Sequence, residues 1–305
     1  MEKKFWGNMP AYKHLCNYAA QKYPGPLILV GKQGLGKRIA AFSLAASLLG
    51  CSEEILSQNR DFLLIDKGKD PIKVEDILEL LEQSNLASLG NRKVYLICQA
   101  ENINVQAQNK LLKLLEDRNL RNTVIFVCNQ DVLLDTIKSR CMTINFSPLA
   151  QNEMEEYLNN CKVEKDCDFI MNLCDNCPYH LEEALEIYPD LKNLFQNILS
   201  IKQREDLLSV FHLIKEKDPM EFYSTYYTNH FSMGLLMLQY LFYNLLMAHL
   251  YNVPSEIESI YDNLLSLYSI KDTYQICIAI TSHHRQWLSG VYTKNDFFDL
   301  VRVMI

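Results

Sequence analysis

The stretch Leu27-Ile28-Leu29-Val30-Gly31-Lys32-Gln33-Gly34-Leu35-Gly36-Lys37-Arg38 decides how the rest of the chain is read. Four apolar residues run into a glycine-rich loop, and Ile39–Leu49 after it has helical content. From Gly31 the loop fits G-x-x-x-x-G-K-[ST] at every fixed position but the last, where Arg38 replaces the hydroxyl residue. In such loops the glycines let backbone N–H groups turn toward phosphate oxygens, and the next helix adds its positive end. Gly31, Gly34, Gly36 and Lys37 are therefore the candidate phosphate-binding residues, with Lys37 reaching the terminal phosphates. The missing hydroxyl is a magnesium ligand, and hydrolysis needs that metal to neutralise charge on the transferred phosphoryl group. The loop reads as degenerate: it keeps the shape of a phosphate site and lacks its metal support. A glycine turn holding no ligand is the alternative.

Further apolar runs follow at Phe62–Ile65, Val94–Cys98, Thr123–Val127 and Met142–Phe146. Between them, Val74, Ile77, Leu78 and Leu81 repeat at helical spacing. Ala107, Leu111 and Leu115 do the same, and Leu112 and Leu114 widen their stripe. Runs alternating with helices predict a parallel five-stranded sheet covered on both faces, an α/β class. After Pro148 no convincing strand occurs, and helices punctuated by Pro178, Pro189, Pro219 and Pro254 are expected. The predicted division is an α/β domain over 1–149, a small helical domain over 150–200 and a larger helical domain over 201–305.

A formal charge of −7 over 305 residues argues against a free-standing nucleic-acid binder. The ten cysteines show no paired framework. Met1-Glu2-Lys3-Lys4 leads into Phe5-Trp6-Gly7-Asn8 rather than an apolar core, so reduced thiols in a cytoplasmic protein are expected. Met233–Leu250 is long and apolar enough to be tested as a membrane span. Gln239, Asn244 and His249 interrupt it, so a helix buried on all sides in a helical domain is the preferred reading.

Enzymes with this loop carry an acidic pair at the end of a later core strand, one carboxylate supporting Mg²⁺ and its neighbour polarising water. Here Val94-Tyr95-Leu96-Ile97 ends in Cys98-Gln99, and Glu101 would need a register shift to substitute. Both metal-supporting elements are missing, so no ATP hydrolysis by this chain is expected. Thr123–Val127 ends in Cys128-Asn129, where Asn129 either monitors a phosphate or satisfies loop amides.

Leu27–Lys37, Ile72–Leu81, Lys93–Asp117 and Thr123–Phe146 resemble successive blocks of the AAA+ clamp-loader family, most nearly the delta-prime subunits of bacterial DNA polymerase III. Asn109-Lys110-Leu111-Leu112-Lys113-Leu114-Leu115-Glu116 matches one block. Asp135-Thr136-Ile137-Lys138-Ser139-Arg140-Cys141 matches a second and more specific one. The resemblance implies an AAA+ core, a small helical lid and a helical collar, in a non-motor subunit of a five-membered arc. It further implies that Arg140, supported by Ser139 and Cys141, acts as an arginine finger given in trans to a neighbour's ATP site. The implied partners are gamma/tau-like motor subunits and a delta subunit, with the sliding clamp and primed DNA engaged through the complex and no membrane. Such a subunit is not catalytic alone; it is a component of a DNA-directed DNA polymerase holoenzyme.

Departures from that pattern matter. The interval between the loop and the second strand holds only Cys51, so the family's four-cysteine zinc module is not expected. Cys174-x-x-Cys177 with His180 nearby is one pair short of a four-ligand site and is read as packing. Asn176–Ala184 contains none of the nucleotide-sensing arginine of motor subunits. His283-His284-Arg285 is read as a solvated helix face. No cofactor is expected to be required, and whether ATP still binds stays open. Two alternatives stand: an active ATPase using Arg38 or Glu101 in an altered metal geometry, or a structural scaffold whose Arg140 is a relic.

Overall fold

A computed structural model describes residues 8–22, 24–68, 70–84, 88, 90, 92–116, 122–163, 166–213, 231–251, 255–289 and 294–305. Five parallel strands, β1 (Leu27–Val30), β2 (Phe62–Ile65), β3 (Lys93–Ile97), β4 (Asn122–Cys128) and β5 (Met142–Asn145), lie in the order β2-β3-β4-β1-β5. All neighbouring pairs are parallel, with Leu27 of β1 in register with Ile125 of β4 and Met142 of β5. Parallel neighbours need crossover connections, and helices supply them.

Alternation along the strands builds two cores. Leu27, Leu29, Leu96, Ile125 and Val127 turn to one face and meet α1 (Met9–Ala19) and α2 (Lys37–Leu49). Ile28, Val30, Tyr95, Ile97, Val124 and Phe126 turn to the other face, under α3 (Val74–Ser84), α4 (Val105–Glu116) and α5 (Asp135–Lys138). Ala107, Leu111 and Leu115 are all buried, as their spacing predicts. The edge strands are less covered than expected: Leu64 of β2 is 43% exposed and Met142 of β5 is 41% exposed. An edge strand has a neighbour on one side only, so fewer helices reach over it.

Contacts divide the chain into two compact units, one running to Tyr157 and including Cys177–Tyr179, the other holding Leu158–Asn176 and everything from His180. In the second unit, Phe231–Leu250 packs against Cys167–Leu173, Leu181–Leu199, Ser255–Leu267 and Ile270–Leu288. It is the one described helix apolar and long enough to pass as a span, but it is not buried on all sides. Met237, Leu238, Leu241, Phe242 and Leu245 form its buried stripe, while Tyr243 and Leu250 are each 54% exposed. Pro189 breaks nothing either: it lies inside the helix Leu181–Leu199. Its ring removes one helical hydrogen bond, from the carbonyl of Leu185. Leu185 and Pro189 both lie on the exposed side, where water can serve that carbonyl. Pro178 does punctuate, opening the 3₁₀ turn Pro178–His180. Pro219 and Pro254 lie outside the described residues.

At the start of Ile270–Leu288, Ser269 and Asp272 form a capping box. Asp272 also pairs with Arg204, and this contact and the cap hold its carboxyl below the usual carboxylate range.

The two-core assignment is tested by truncating Phe126, which is fully buried in the central strand. Phe126→Ala is expected to cost about 3–5 kcal/mol in denaturant unfolding, whereas Leu64→Ala costs about 1 kcal/mol or less. Equal losses at the two positions would contradict the layering.

Candidate functional site

The C-terminal ends of β1, β3 and β4 lie side by side, and every residue of the candidate site follows one of them. After β1, Gly31 passes so close to the end of β5 that an added Cβ would meet the Phe146 carbonyl oxygen at 2.2 Å. Only glycine fits there. Gly34 and Gly36 have φ of 78° and 79°, so the loop turns as the motif requires. Gly36 caps α2, and the backbone N–H of Tyr179 donates to the Gly34 carbonyl at 3.2 Å.

Lys37, first in α2, is only 4% exposed. Its ammonium donates to the Lys32 carbonyl at 2.5 Å and to Asn129 Oδ1 at 3.1 Å. Asn129 in turn donates from Nδ2 to Glu101 Oε1 at 2.7 Å and from its backbone to Glu101 Oε2 at 3.1 Å. Burial pushes Lys37 down from 10.5 to about 8, with the Glu101 charge opposing the shift. Glu101 therefore faces the loop without any register shift. Gln99 takes a left-handed φ of 45° and the 3₁₀ turn Ala100–Asn102 brings the carboxylate back. The sequence signal for this was a polar turn immediately after an apolar strand.

The residues that would hold a magnesium ion do not fit one. Arg38, at the hydroxyl position, pairs with Asp66 Oδ2 at 2.7 Å, while its guanidinium carbon lies 5.5 Å from the centroid of the Phe42 ring. It leans toward the end of β2 rather than filling the loop. Burial, with Asp66 adding to it, pushes the Cys98 thiol up to about 12, so it stays neutral. Gln99 is uncharged, and its buried Oε1 has no hydrogen-bond partner among the described residues. Both Glu101 oxygens are committed to Asn129. Mg²⁺ asks for oxygen ligands in octahedral array; this set offers a cation at the hydroxyl position, a thiol, a neutral amide, and two carboxylates paired with Arg38 and Asn129.

Arg140 stands apart from the loop. α5 is a single turn that ends at Ser139, whose hydroxyl donates to the Thr136 carbonyl at 3.1 Å. Arg140 donates to the same carbonyl at 2.8 Å and to Glu116 Oε1 at 2.6 Å. Its side chain is 37% exposed, and Glu116 is 55% exposed. Cys141 is half-buried against the second core, and burial pushes its thiol up to about 12. Buried Gln108 accepts from the Leu134 N–H at 2.8 Å and donates to the Ile103 carbonyl at 3.0 Å. It thereby fixes the segment that leads into α5. Sequence reading missed Gln108, Glu116 and Asp66, because each acts through a partner far away in the chain.

Cys174 and Cys177 are both fully buried, and Cys177 belongs to the core of the first unit. All ten cysteines are outside disulfides, and among the described residues no group of three or more His, Cys, Asp or Glu could hold a metal. His283 and His284 are half-buried, so of that triplet only Arg285 is a solvated position.

A family model described as DNA polymerase III, delta subunit matches residues 8–150. Residues 8–150 are thus similar to that family. DNA polymerase III subunit delta' of Bacillus subtilis is 33% identical over 174 residues, 52% of this chain and 51% of the relative. The subunit of that name from Pseudomonas aeruginosa is 35% identical over 133 residues, 38% of this chain and 40% of its own. Replication factor C subunit 4 of Schizosaccharomyces pombe is 27% identical over 143 residues, 46% of this chain and 41% of its own. The chain thus matches about half the length of its curated relatives, or less. Among solved structures, a DNA polymerase III gamma subunit-related protein of Thermotoga maritima aligns over 90% of this chain and 98% of its own, with TM-score 0.46 and 19% identity.

The buried ammonium of Lys37 has a signature in stability. A lysine whose folded pKa lies below its unfolded one destabilises the fold at low pH, where both states are charged but only the folded one is desolvated. That penalty fades as pH rises from about 8 toward 10.5, because the folded state has already released its proton. Lys37→Met is therefore expected to melt higher than wild type at pH 7, with the gap narrowing steadily toward pH 10. A gap independent of pH would show that Lys37 is not desolvated as described.

Proposed function

We propose that this chain is a non-motor, delta-prime-like subunit of a bacterial sliding-clamp loader that completes a neighbouring subunit's ATP site with Arg140. The observation that carries the reading is the contrast between the two sites. In the chain's own loop the hydroxyl position holds Arg38, paired with Asp66, while Arg140 lies outside that loop with exposed internal partners.

An arginine finger must be presented and yet releasable. Exposed ion pairs contribute about 0.2–1 kcal/mol, so the Glu116 contact can be exchanged for phosphate at small cost. The planar guanidinium is always charged and suits a developing phosphoryl charge. Ser139 closes the turn beneath it and Cys141 anchors the next residue in the core. Gln108 holds the approach to α5, so the finger stands on a fixed base.

On this reading the helices over 150–200 form a lid, and those over 201–305 form a collar that packs with sister subunits. The partners are gamma/tau-like motor subunits and a delta subunit, with the clamp and primed DNA reached through the assembly. The work is that of a cytoplasmic component of the DNA polymerase III holoenzyme, and isolated protein turns over no ATP. A loader reconstituted with Arg140→Ala is expected to assemble normally by gel filtration and to lose clamp-stimulated ATP turnover. Fingers of this kind are worth roughly 10³–10⁵ in rate, shared here with any other competent sites in the arc. Arg140→Lys should also fail, since an ammonium lacks the planar fork. Unchanged turnover in both variants would sink the finger assignment and favour a scaffold.

A further inference from the structure

Position 38 is where a magnesium-dependent loop puts its hydroxyl, and here it carries a permanent cation. We propose that this loop binds the polyphosphate tail of a nucleoside triphosphate without magnesium, with Arg38 recruited from Asp66 to supply the positive charge that the metal supplies elsewhere. The inference rests on the loop's geometry and not on the assignment of Arg140, so either can fail alone.

The loop is built for phosphate rather than merely tolerant of glycine. Gly31 is pinned by the Phe146 carbonyl, and Gly34 and Gly36 hold left-handed backbones. A lysine only 4% exposed is kept at the start of α2, where its charge is costly without an anion. A polyphosphate would repay that cost by replacing the Lys32 carbonyl as Lys37's partner. Around it the metal's other supports are all occupied or uncharged. Asn129 takes both Glu101 oxygens, Cys98 is a neutral thiol, and Gln99 is an amide.

Arg38 is placed to respond. It follows Lys37 directly in the first turn of α2, and its side chain is 59% exposed, against 14% for Asp66. The guanidinium is thus the mobile member of the pair and the carboxylate the fixed one. Swinging from carboxylate to phosphate exchanges one charge-assisted hydrogen bond for another. A divalent ion brought to the same place would meet the guanidinium's charge, with both Glu101 oxygens already bonded to Asn129.

The test is a titration of the full-length chain with a fluorescent ATP analogue in EDTA and again in excess Mg²⁺, with inorganic tripolyphosphate as competitor. Binding in EDTA at least as tight as in Mg²⁺, displaced by tripolyphosphate, is expected. Arg38→Ala should weaken binding in EDTA by about tenfold or more, the cost of one charged contact. Asp66→Asn should tighten it, because the guanidinium is released and a nearby negative charge is removed. Tighter binding in Mg²⁺ by about tenfold or more overturns the proposal, and so does an Asp66→Asn variant of unchanged affinity. No binding in either buffer overturns it too, while leaving the role of Arg140 to its own experiment.

Discussion

One buried ammonium organises the C-terminal edge of the sheet. Lys37 cannot sit at 4% exposure unless its charge is answered, and each answer comes from a different strand end. The loop after β1 gives the Lys32 carbonyl. The residue after β4 gives the Asn129 amide, and the turn after β3 gives Glu101, which holds Asn129 in place. Three segments distant in sequence are thereby tied to one cation. Gly31 adds the fourth, since its close approach to Phe146 leaves no slack between β1 and β5. The edge keeps the form of a nucleotide site because this network needs that form, whether or not anything is hydrolysed there.

The residues beside this network make contacts of their own. Arg38 and Asp66 satisfy each other at the surface, and Cys98 adds to the core of the first unit as a small apolar side chain. None of these side chains shares a hydrogen bond with Lys37. The Arg38–Asp66 pair and Cys98 lie outside the chain of hydrogen bonds that holds Lys37.

Sequence made the architecture legible wherever periodicity was strong. β1, β2 and β5 begin where their apolar runs begin, and the stripe Ala107, Leu111, Leu115 is the buried face of α4. It failed where a side chain acts through a partner far along the chain. Glu101 looked out of register because spacing along a strand says nothing of the turn that follows, and that turn depends on the left-handed backbone of Gln99. Pro189 looked like a helix breaker because the rule assumes that the lost hydrogen bond cannot be replaced by water. The apolar helix Phe231–Leu250 looked uniformly buried because hydropathy does not record which side faces neighbours.

Arg140 shows why exposure is itself an argument about role. A guanidinium that stabilised this fold would be drawn into a buried, multiply bonded site, as Lys37 is. Instead it leans on a backbone carbonyl of its own turn and on one exposed carboxylate. Those contacts fix direction without much depth, because water competes for both partners. Meanwhile the base beneath it is rigid: Gln108 is buried and bonded on both sides, and Ile137 is fully buried in the second core. The charge is thus lightly held above a firmly packed base. The buried cation is tied to three strand ends, and the exposed one only to its own turn and to Glu116.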